Sequence, residues 1–154
     1  MTDPSYQQPA YQPPAGTGPS GPRASFGRRL VAIIVDGIII GVVVLVCYLI
    51  SRVLADIVAI LLTLGYYTYF EGSGSGQTVG KKLLGIRVID FSAGGPIGYG
   101  RGFVRQLARI LSGLVCYLGY LWMLWDKEKQ TWHDKLATTV VVPESAYPVQ
   151  TWPG

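Results

Sequence analysis

The sequence predicts an α-helical integral membrane protein with two transmembrane helices, a third apolar helical segment that is re-entrant or spanning, and a small cytoplasmic β-hairpin-like element. Three observations predict this class. Apolar residues make up 49% of the 154-residue chain and charged residues only 14%. The mean hydropathy is +0.33, which fits a small membrane protein better than a soluble core. The apolar residues also form long runs that are flanked by the basic residues.

The two ends of the chain are predicted to lack a fold. Residues 1–27 are rich in Pro, Gly, Gln and Tyr, with YQQPA followed closely by YQPPA. Such a segment buries too little apolar surface to offset its ordering entropy, so a disordered tail is predicted. The tail does not match a signal peptide, because no basic region leads into a short apolar core. Residues 143–154 are predicted to be a flexible C-terminal tail.

The first apolar run, from Leu30 to Ile50, predicts a helix over about residues 29–50. At the helical rise the run is roughly 31 Å long, close to the ~30 Å of a bilayer's hydrocarbon core. Asp36 is its only charged residue, and a carboxylate at that depth must face protein or water. Arg29 projects from nearly the same helical face, roughly 10 Å away along the axis. Two interpretations stay open: a polar site for a cation or proton, or a structural network.

The second helix is predicted over about residues 54–70, with a group of aromatic side chains at its far end that favour a membrane interface. In the first helix, Gly37 and Gly41 form a GxxxG pair that would let another helix approach closely. This helix-packing contact could lie within the chain or between two copies of it.

A glycine-rich segment, Glu71 to Lys82, follows the second helix. It is not a phosphate-binding loop, because Ser75 occupies a required glycine position and Lys82 a required Ser/Thr position. Beyond it, strands are predicted over about residues 84–91 and 138–142. Their pairing would require both to lie on one side of the membrane.

The third apolar helical segment is predicted over about residues 104–125. It begins as a basic amphipathic helix, with an arginine at every fourth position, suited to lying along an anionic leaflet. Ser112, Gly113 and Gly119 would let the segment bend and return, which favours a re-entrant or interfacial segment over a full crossing.

Basic residues near the predicted membrane surface are predicted to contact anionic lipid headgroups. They are Arg28, Lys81, Lys82, Arg101, Arg105 and Arg109. Because basic residues concentrate before the first span and in the loop after the second, the N-terminus and that loop are predicted to be cytoplasmic. The formal net charge of +4 therefore indicates anionic lipid and not nucleic acid as the partner.

Other classes of site find little support. His133 is the only histidine, and no further ligand stands at metal-binding spacing, so neither a metal site nor a cofactor is predicted. Cys47 and Cys116 both lie in apolar segments, where cysteines behave as small apolar side chains. No nucleophile, base and orienting group can be assembled, so the protein is not expected to be an enzyme.

Three blocks of sequence resemble the RDD family of bacterial membrane proteins, which is named for one arginine and two aspartates. The blocks are RRLVAIIVD, GQTVGKKLLGIRVID and TWHDKLATTVVV. The resemblance covers roughly residues 26–142, and the proline-rich front end is similar to actinobacterial members. It implies an RDD-like membrane domain over residues 28–142, a location in the bacterial plasma membrane, and Arg29, Asp36 and Asp134 as the polar family positions.

Two functions from different classes follow. In the first, the chain is a transport component that moves a cation or small solute past a buried Arg/Asp site. Since two or three helices are too few to enclose a path, this function needs a homo-oligomer or another membrane protein. In the second, the chain is a non-catalytic anchoring or interaction module that displays its proline-rich tail and binds anionic lipid.

Overall fold

The computed structural model describes residues 21–115 and 118–147. Six helices, one 3₁₀ turn and two strands follow one another along this part of the chain. They are α1 (Phe26–Ile50), α2 (Arg52–Gly72), α3 (Val79–Leu83), β1 (Ile86–Asp90), α4 (Gly98–Leu114), α5 (Leu118–Leu121) with a 3₁₀ turn (Trp122–Leu124), α6 (Trp132–Leu136) and β2 (Thr139–Pro143).

Helices α1 and α2 form an antiparallel hairpin, and both are long and apolar enough to cross a membrane. The two predicted helices are therefore present, each starting two or three residues earlier than expected. Ser51 makes the turn between them. Its extended backbone ends α1, and its side chain accepts a hydrogen bond from the Leu54 amide at the start of α2. One serine thus pairs a free amide in the first turn of α2 and reverses the direction of the chain.

All later elements pack at the end of the hairpin where α1 begins and α2 ends. Helix α3 contacts α1, and α4 contacts both α2 and α6. We call this part, residues 73–147 where the structure describes them, the cap. The hairpin's other end projects away from it, so large apolar side chains there, such as Leu49 and Ile50, are more than 70% exposed.

The cap is built on a two-stranded antiparallel sheet in which β1 pairs with β2. The register runs from Ile86 opposite Pro143 to Asp90 opposite Thr139. This confirms the predicted pairing of the two β-prone segments. Every residue of both strands is buried, including Arg87 and Asp90.

Helix α4 turns its basic face inward and its apolar face outward. Arg105 and Gln106 are almost fully buried. The apolar side chains on the opposite face are 44–59% exposed: Phe103, Val104, Leu107, Ile110 and Leu111. The predicted amphipathic helix is present, but its basic side meets the protein and not a lipid surface.

The third apolar segment is not one helix over residues 104–125. Helix α4 starts six residues earlier, at Gly98, and its Gly98–Gly113 part makes an angle of 113° with the Leu118–Leu124 stretch. Gly119 lies so close to Ser112 that an added Cβ would fall 2.6 Å from the Ser112 hydroxyl oxygen. Glycine therefore allows the chain to fold back onto α4.

Packed residues of the described chain extend into both predicted tails. At the N-terminal side, the buried Ala24 donates its amide to Val141 O at 3.0 Å, and α1 begins at Phe26. At the C-terminal side, Tyr147 is buried in an apolar cluster with Ile89, Val140 and Val142. These tertiary contacts fix residues that carry no local folding signal. Residues 1–20 and 148–154, the rest of the predicted tails, lie outside the described residues.

Candidate functional site: a buried ion-pair cluster

Six charged side chains form a connected cluster where the cap meets α1 and α2. We call it the ion-pair cluster, and its members are Arg29, Glu71, Lys81, Arg105, Arg109 and Asp134. Four are basic and two are acidic. Because charged residues are almost never fully buried unless they are paired, this is the most unusual chemical feature of the described chain.

Glu71, in the last turn of α2, is fully buried and pairs with three cations. It forms an ion pair with Lys81, and its oxygens accept hydrogen bonds from Arg105 Nε at 2.9 Å and Arg109 Nη2 at 3.1 Å. Gln106 Nε2 adds a fourth donor at 3.0 Å. A buried carboxylate with this many charged donors remains ionised and ties α2, α3 and α4 together.

Asp134 is the second carboxylate of the cluster and is also fully buried. Its Oδ2 accepts a hydrogen bond from Arg29 Nη1 at 2.7 Å, and its Oδ1 pairs with Arg105. Arg105 therefore bridges Asp134 and Glu71. The Arg29 guanidinium also donates to the Lys129 carbonyl oxygen at 2.7 Å, so α1 is joined to the chain just before α6.

Local sequence explains how Asp134 is aimed at the cluster. Thr131 caps α6 and accepts the Asp134 amide, while Asp134 Oδ2 accepts the Thr131 amide at 3.0 Å. This reciprocal capping box fixes the carboxylate in the first turn of the helix. The TWHD segment is thus a capping motif that presents a charge to α1 and α4.

Asp36 occupies a separate site within α1. It is buried and accepts three hydrogen bonds, from Tyr66 Oη at 2.8 Å, Thr78 Oγ1 at 2.6 Å and the Gly80 amide at 2.7 Å. The glycine is required, because an added Cβ would collide with the Ala32 carbonyl oxygen. Thus α3 packs directly on the α1 backbone and supplies most of the hydrogen bonds to this carboxylate.

The predicted polar residues therefore fall into two sites. Arg29 and Asp134 meet in the ion-pair cluster, whereas Asp36 bonds hydroxyl and amide groups instead of Arg29. Gly37 and Gly41 lie on an exposed face of α1, where an added Cβ would meet nothing within 4 Å. The structure thus contains no helix-packing contact at these glycines within the described chain.

The predicted lipid-contact residues also divide. Lys81, Arg105 and Arg109 are held in the ion-pair cluster, with side chains only 2–13% exposed, because α4 and α3 turn them toward Glu71. In this arrangement the charged groups of these three residues lie against Glu71. Arg28 and Lys82 are exposed, and Arg101, 48% exposed, pairs with Asp90.

Sequence reasoning did not single out Glu71, Tyr66 or Thr78. Glu71 is an isolated acid at the end of an apolar helix, directly before a basic glycine-rich loop, and that position was the available signal. Thr78 caps α3 by accepting the Lys81 amide and also donates to Asp36. The central threonine of GQTVGKK therefore has two structural roles.

Burial and charge shift the pKa values of the cap residues in different directions. Burial alone would raise the pKa of Asp134, but the charges of Arg105 and Arg29 outweigh it and hold that pKa below its usual value. Burial lowers the pKa of His133, with Asp134 opposing. Burial also lowers the pKa of Lys81, against the attraction of Glu71. His133 is therefore neutral in the folded protein at neutral pH.

The buried His133 makes stability depend on pH. Its folded pKa lies below the unfolded value of 6.5, so acid protonates the unfolded state first and stability falls as pH drops below that value. Between pH 7.5 and 5.5 we expect a loss of about 1 kcal/mol that His133→Gln abolishes. Denaturant unfolding in detergent at both pH values measures it. Asp134 does not contribute in this window, because its carboxylate is ionised in both the folded and the unfolded state. Equal pH slopes in both proteins would contradict the assignment.

The fold and the cluster define the class of protein: a small helical membrane-type protein whose two apolar helices carry an ion-paired cap at one end. The RDD family model matches residues 23–138. The chain belongs to the RDD family, which confirms the resemblance noted in the sequence.

Curated relatives share part of this domain. The proline-rich antigen homolog of Mycobacterium tuberculosis is 43% identical over 77 residues, 50% of this chain and 32% of that protein. The proline-rich antigen of Mycobacterium leprae is 42% identical over 77 residues, 50% and 30% of the two chains. The uncharacterized protein YxaI of Bacillus subtilis is 35% identical over 86 residues, 56% of each. The aligned region spans about a third of the mycobacterial relatives. No solved structure is significantly similar to the chain.

Proposed function

We propose that this RDD family protein is a multi-pass protein of the bacterial plasma membrane, with its N-terminus and cap in the cytoplasm. There it serves as a non-catalytic anchoring or interaction module that binds anionic lipid at the inner leaflet. Its proline-rich N-terminal tail, residues 1–20, is displayed to other proteins. The proline-rich composition of that tail agrees with the names of the mycobacterial relatives, which are called proline-rich antigens.

The orientation of α4, with its basic face buried and its apolar face exposed, supports this proposal. Its exposed face is apolar, while its arginines are buried against Glu71 and Asp134. A surface helix in water has the opposite arrangement. Helix α4 packs against the apolar helix α2. Its apolar outer face therefore suits a helix that lies against lipid acyl chains while its arginines stay paired inside the protein. The re-entrant path of the third segment belongs to the same proposal.

Labelling of single cysteines tests the topology. In a background without Cys47 and Cys116, we expect Ala93→Cys in the cap to react only when the reagent reaches the cytoplasm. Arg52→Cys, at the turn of the helical hairpin, should react from outside intact cells. The physical reason is that α1 and α2 each cross the bilayer once, so the cap and the turn lie on opposite sides. Labelling of both positions from the same side would overturn the proposal.

Transport is a second candidate function, favoured by the position of Asp36. The residue lies about 15 Å along α1 from Phe26, within a candidate span. Its partners include two hydroxyl groups, of Tyr66 and Thr78, which can relay protons. In this hypothesis a homo-oligomer encloses the path for a cation, and Gly37 and Gly41 lie at the interface between its subunits.

Asp36→Asn tests the transport candidate. In vesicles carrying a trapped pH-sensitive dye and a Na⁺ or K⁺ gradient, we expect cation-dependent proton flux to fall at least about tenfold, because the amide cannot exchange a proton at working pH. Asp56→Asn, an exposed carboxylate in α2, is the matched control and should keep full flux. Equal flux in the Asp36 variant and the parent protein would remove transport through this residue.

A further inference from the structure

A cavity of about 320 Å³ lies beside the ion-pair cluster, between the start of α1 and the α5–α6 region. This volume is at the lower end of the range for small-molecule sites, roughly 300–1,000 Å³. One part of its wall is apolar: Phe26, Leu30, Ile33, Leu121, Met123 and Val141. Most of the exposed lining is therefore apolar, and four basic residues complete the wall.

The charged residues of the cluster that line the cavity are all basic. Arg29, Lys81, Arg105 and Arg109 all line the cavity, whereas neither carboxylate of the cluster does. The cluster also holds four cations against two carboxylates, a formal excess of two positive charges in a buried place. Because uncompensated buried charge is costly, an anion in the cavity would lower the energy of the folded protein.

Three buried nitrogens, in residues that line the cavity, have no hydrogen-bond partner within the described chain. They are Arg29 Nε, Arg109 Nε and His133 Nδ1. Arg29 and His133 are 7% and 3% exposed, so water does not freely satisfy them. Buried polar groups are nearly always paired, so three unpaired nitrogens in residues beside the cavity are unusual.

We infer that this cavity binds one anionic phospholipid, with its phosphodiester against Arg29 and Arg109 and the start of an acyl chain along the apolar wall. The arginine fork suits phosphate oxygens. Leu30, which lines the cavity, is 44% exposed on the outer face of α1. The acyl chain can therefore leave the cavity past Leu30 and enter the bilayer. A free phosphate would leave the apolar wall unused. The inference rests on the proposed lipid-binding function and names its site and ligand class.

Filling the cavity tests the inference. The full chain in a neutral detergent is titrated with phosphatidylglycerol or phosphatidylcholine, and bound lipid is counted by native mass spectrometry. We expect one phosphatidylglycerol, preferred at least about tenfold. Ile33→Trp should weaken this binding at least about tenfold, because the indole occupies the acyl path. Ile34→Trp is the matched control; Ile34 is 51% exposed and does not line the cavity.

The outcomes separate the two proposals. Unchanged phosphatidylglycerol binding in Ile33→Trp would show that the lipid does not bind in this cavity, but it would leave the proposed function standing. Loss of the preference in the parent protein overturns both. If inorganic phosphate raises the melting temperature as much as the lipid does, the occupant is a free anion and the lipid assignment is wrong. Should Ile33→Trp not fold, the smaller Ile33→Phe replaces it with the same expectation.

Discussion

Glu71→Gln should destabilise the protein by about 3–5 kcal/mol, the usual cost of breaking a buried ion pair by removing one partner. The glutamine keeps the size of the side chain but removes its charge. Lys81 and Arg109 then lose the carboxylate that pairs with them, while Arg105 keeps Asp134. Denaturant unfolding in detergent micelles measures the loss, and a fall in the yield of folded protein should accompany it.

A partly exposed ion pair provides the control for this change. The side chains of Arg23 and Glu128, which pair, are 11% and 43% exposed, so Glu128→Gln should cost less than Glu71→Gln, about 1 kcal/mol. In the double variant Glu71→Gln, Lys81→Met, part of the loss should return, because one of the stranded cations is also removed. If Glu71→Gln costs as little as Glu128→Gln, the ion-pair cluster does not hold α2, α3 and α4 together.

Gly80→Ala should be the second most damaging change, although it adds one methyl group. The new Cβ would overlap the Ala32 carbonyl oxygen, a backbone atom that cannot rotate away, and would lie 2.9 Å from Asp36 Oδ1. Helix α3 would then move off α1 and weaken the hydrogen bonds to Asp36. We expect a loss of about 1–3 kcal/mol or more, as for overpacked cores, measured by the same unfolding assay.

Gly37→Ala is the matched control, since it is the same substitution on the exposed side of α1. Nothing lies within 4 Å of the added Cβ, and alanine is the better helix former by about 1 kcal/mol. Unfolding of a monomeric preparation should therefore show equal or slightly higher stability. A large loss in Gly37→Ala with none in Gly80→Ala would mean that α3 does not pack on α1 as described.

Much of the architecture could be predicted because its signals are local. The apolar runs of α1 and α2 are visible as continuous stretches, and their length matches a bilayer. The two β-prone segments that pair as β1 and β2 were recognisable by composition. Arg29 and Asp134 were singled out by resemblance, but their pairing across 105 residues of sequence has no local signal.

The environment of each charged side chain could not be predicted in this way. Asp36 is satisfied by Tyr66, Thr78 and the Gly80 amide, groups that lie 30 to 44 residues away and carry no spacing rule. The role of Glu71 depends on three cations from two other helices. Ion pairs of this kind have no local sequence pattern, because only packing brings their members together.

By itself, the sequence determined that two helices are long and apolar enough to span a bilayer, that the segments forming β1 and β2 pair, and that basic charge collects on one side of α4. The tertiary structure alone decided which way α4 faces. A helical period divides a surface into a basic and an apolar side but does not say which side meets the protein. Glu71 and Asp134 settle that choice, because two buried carboxylates require the cations of α4 as partners.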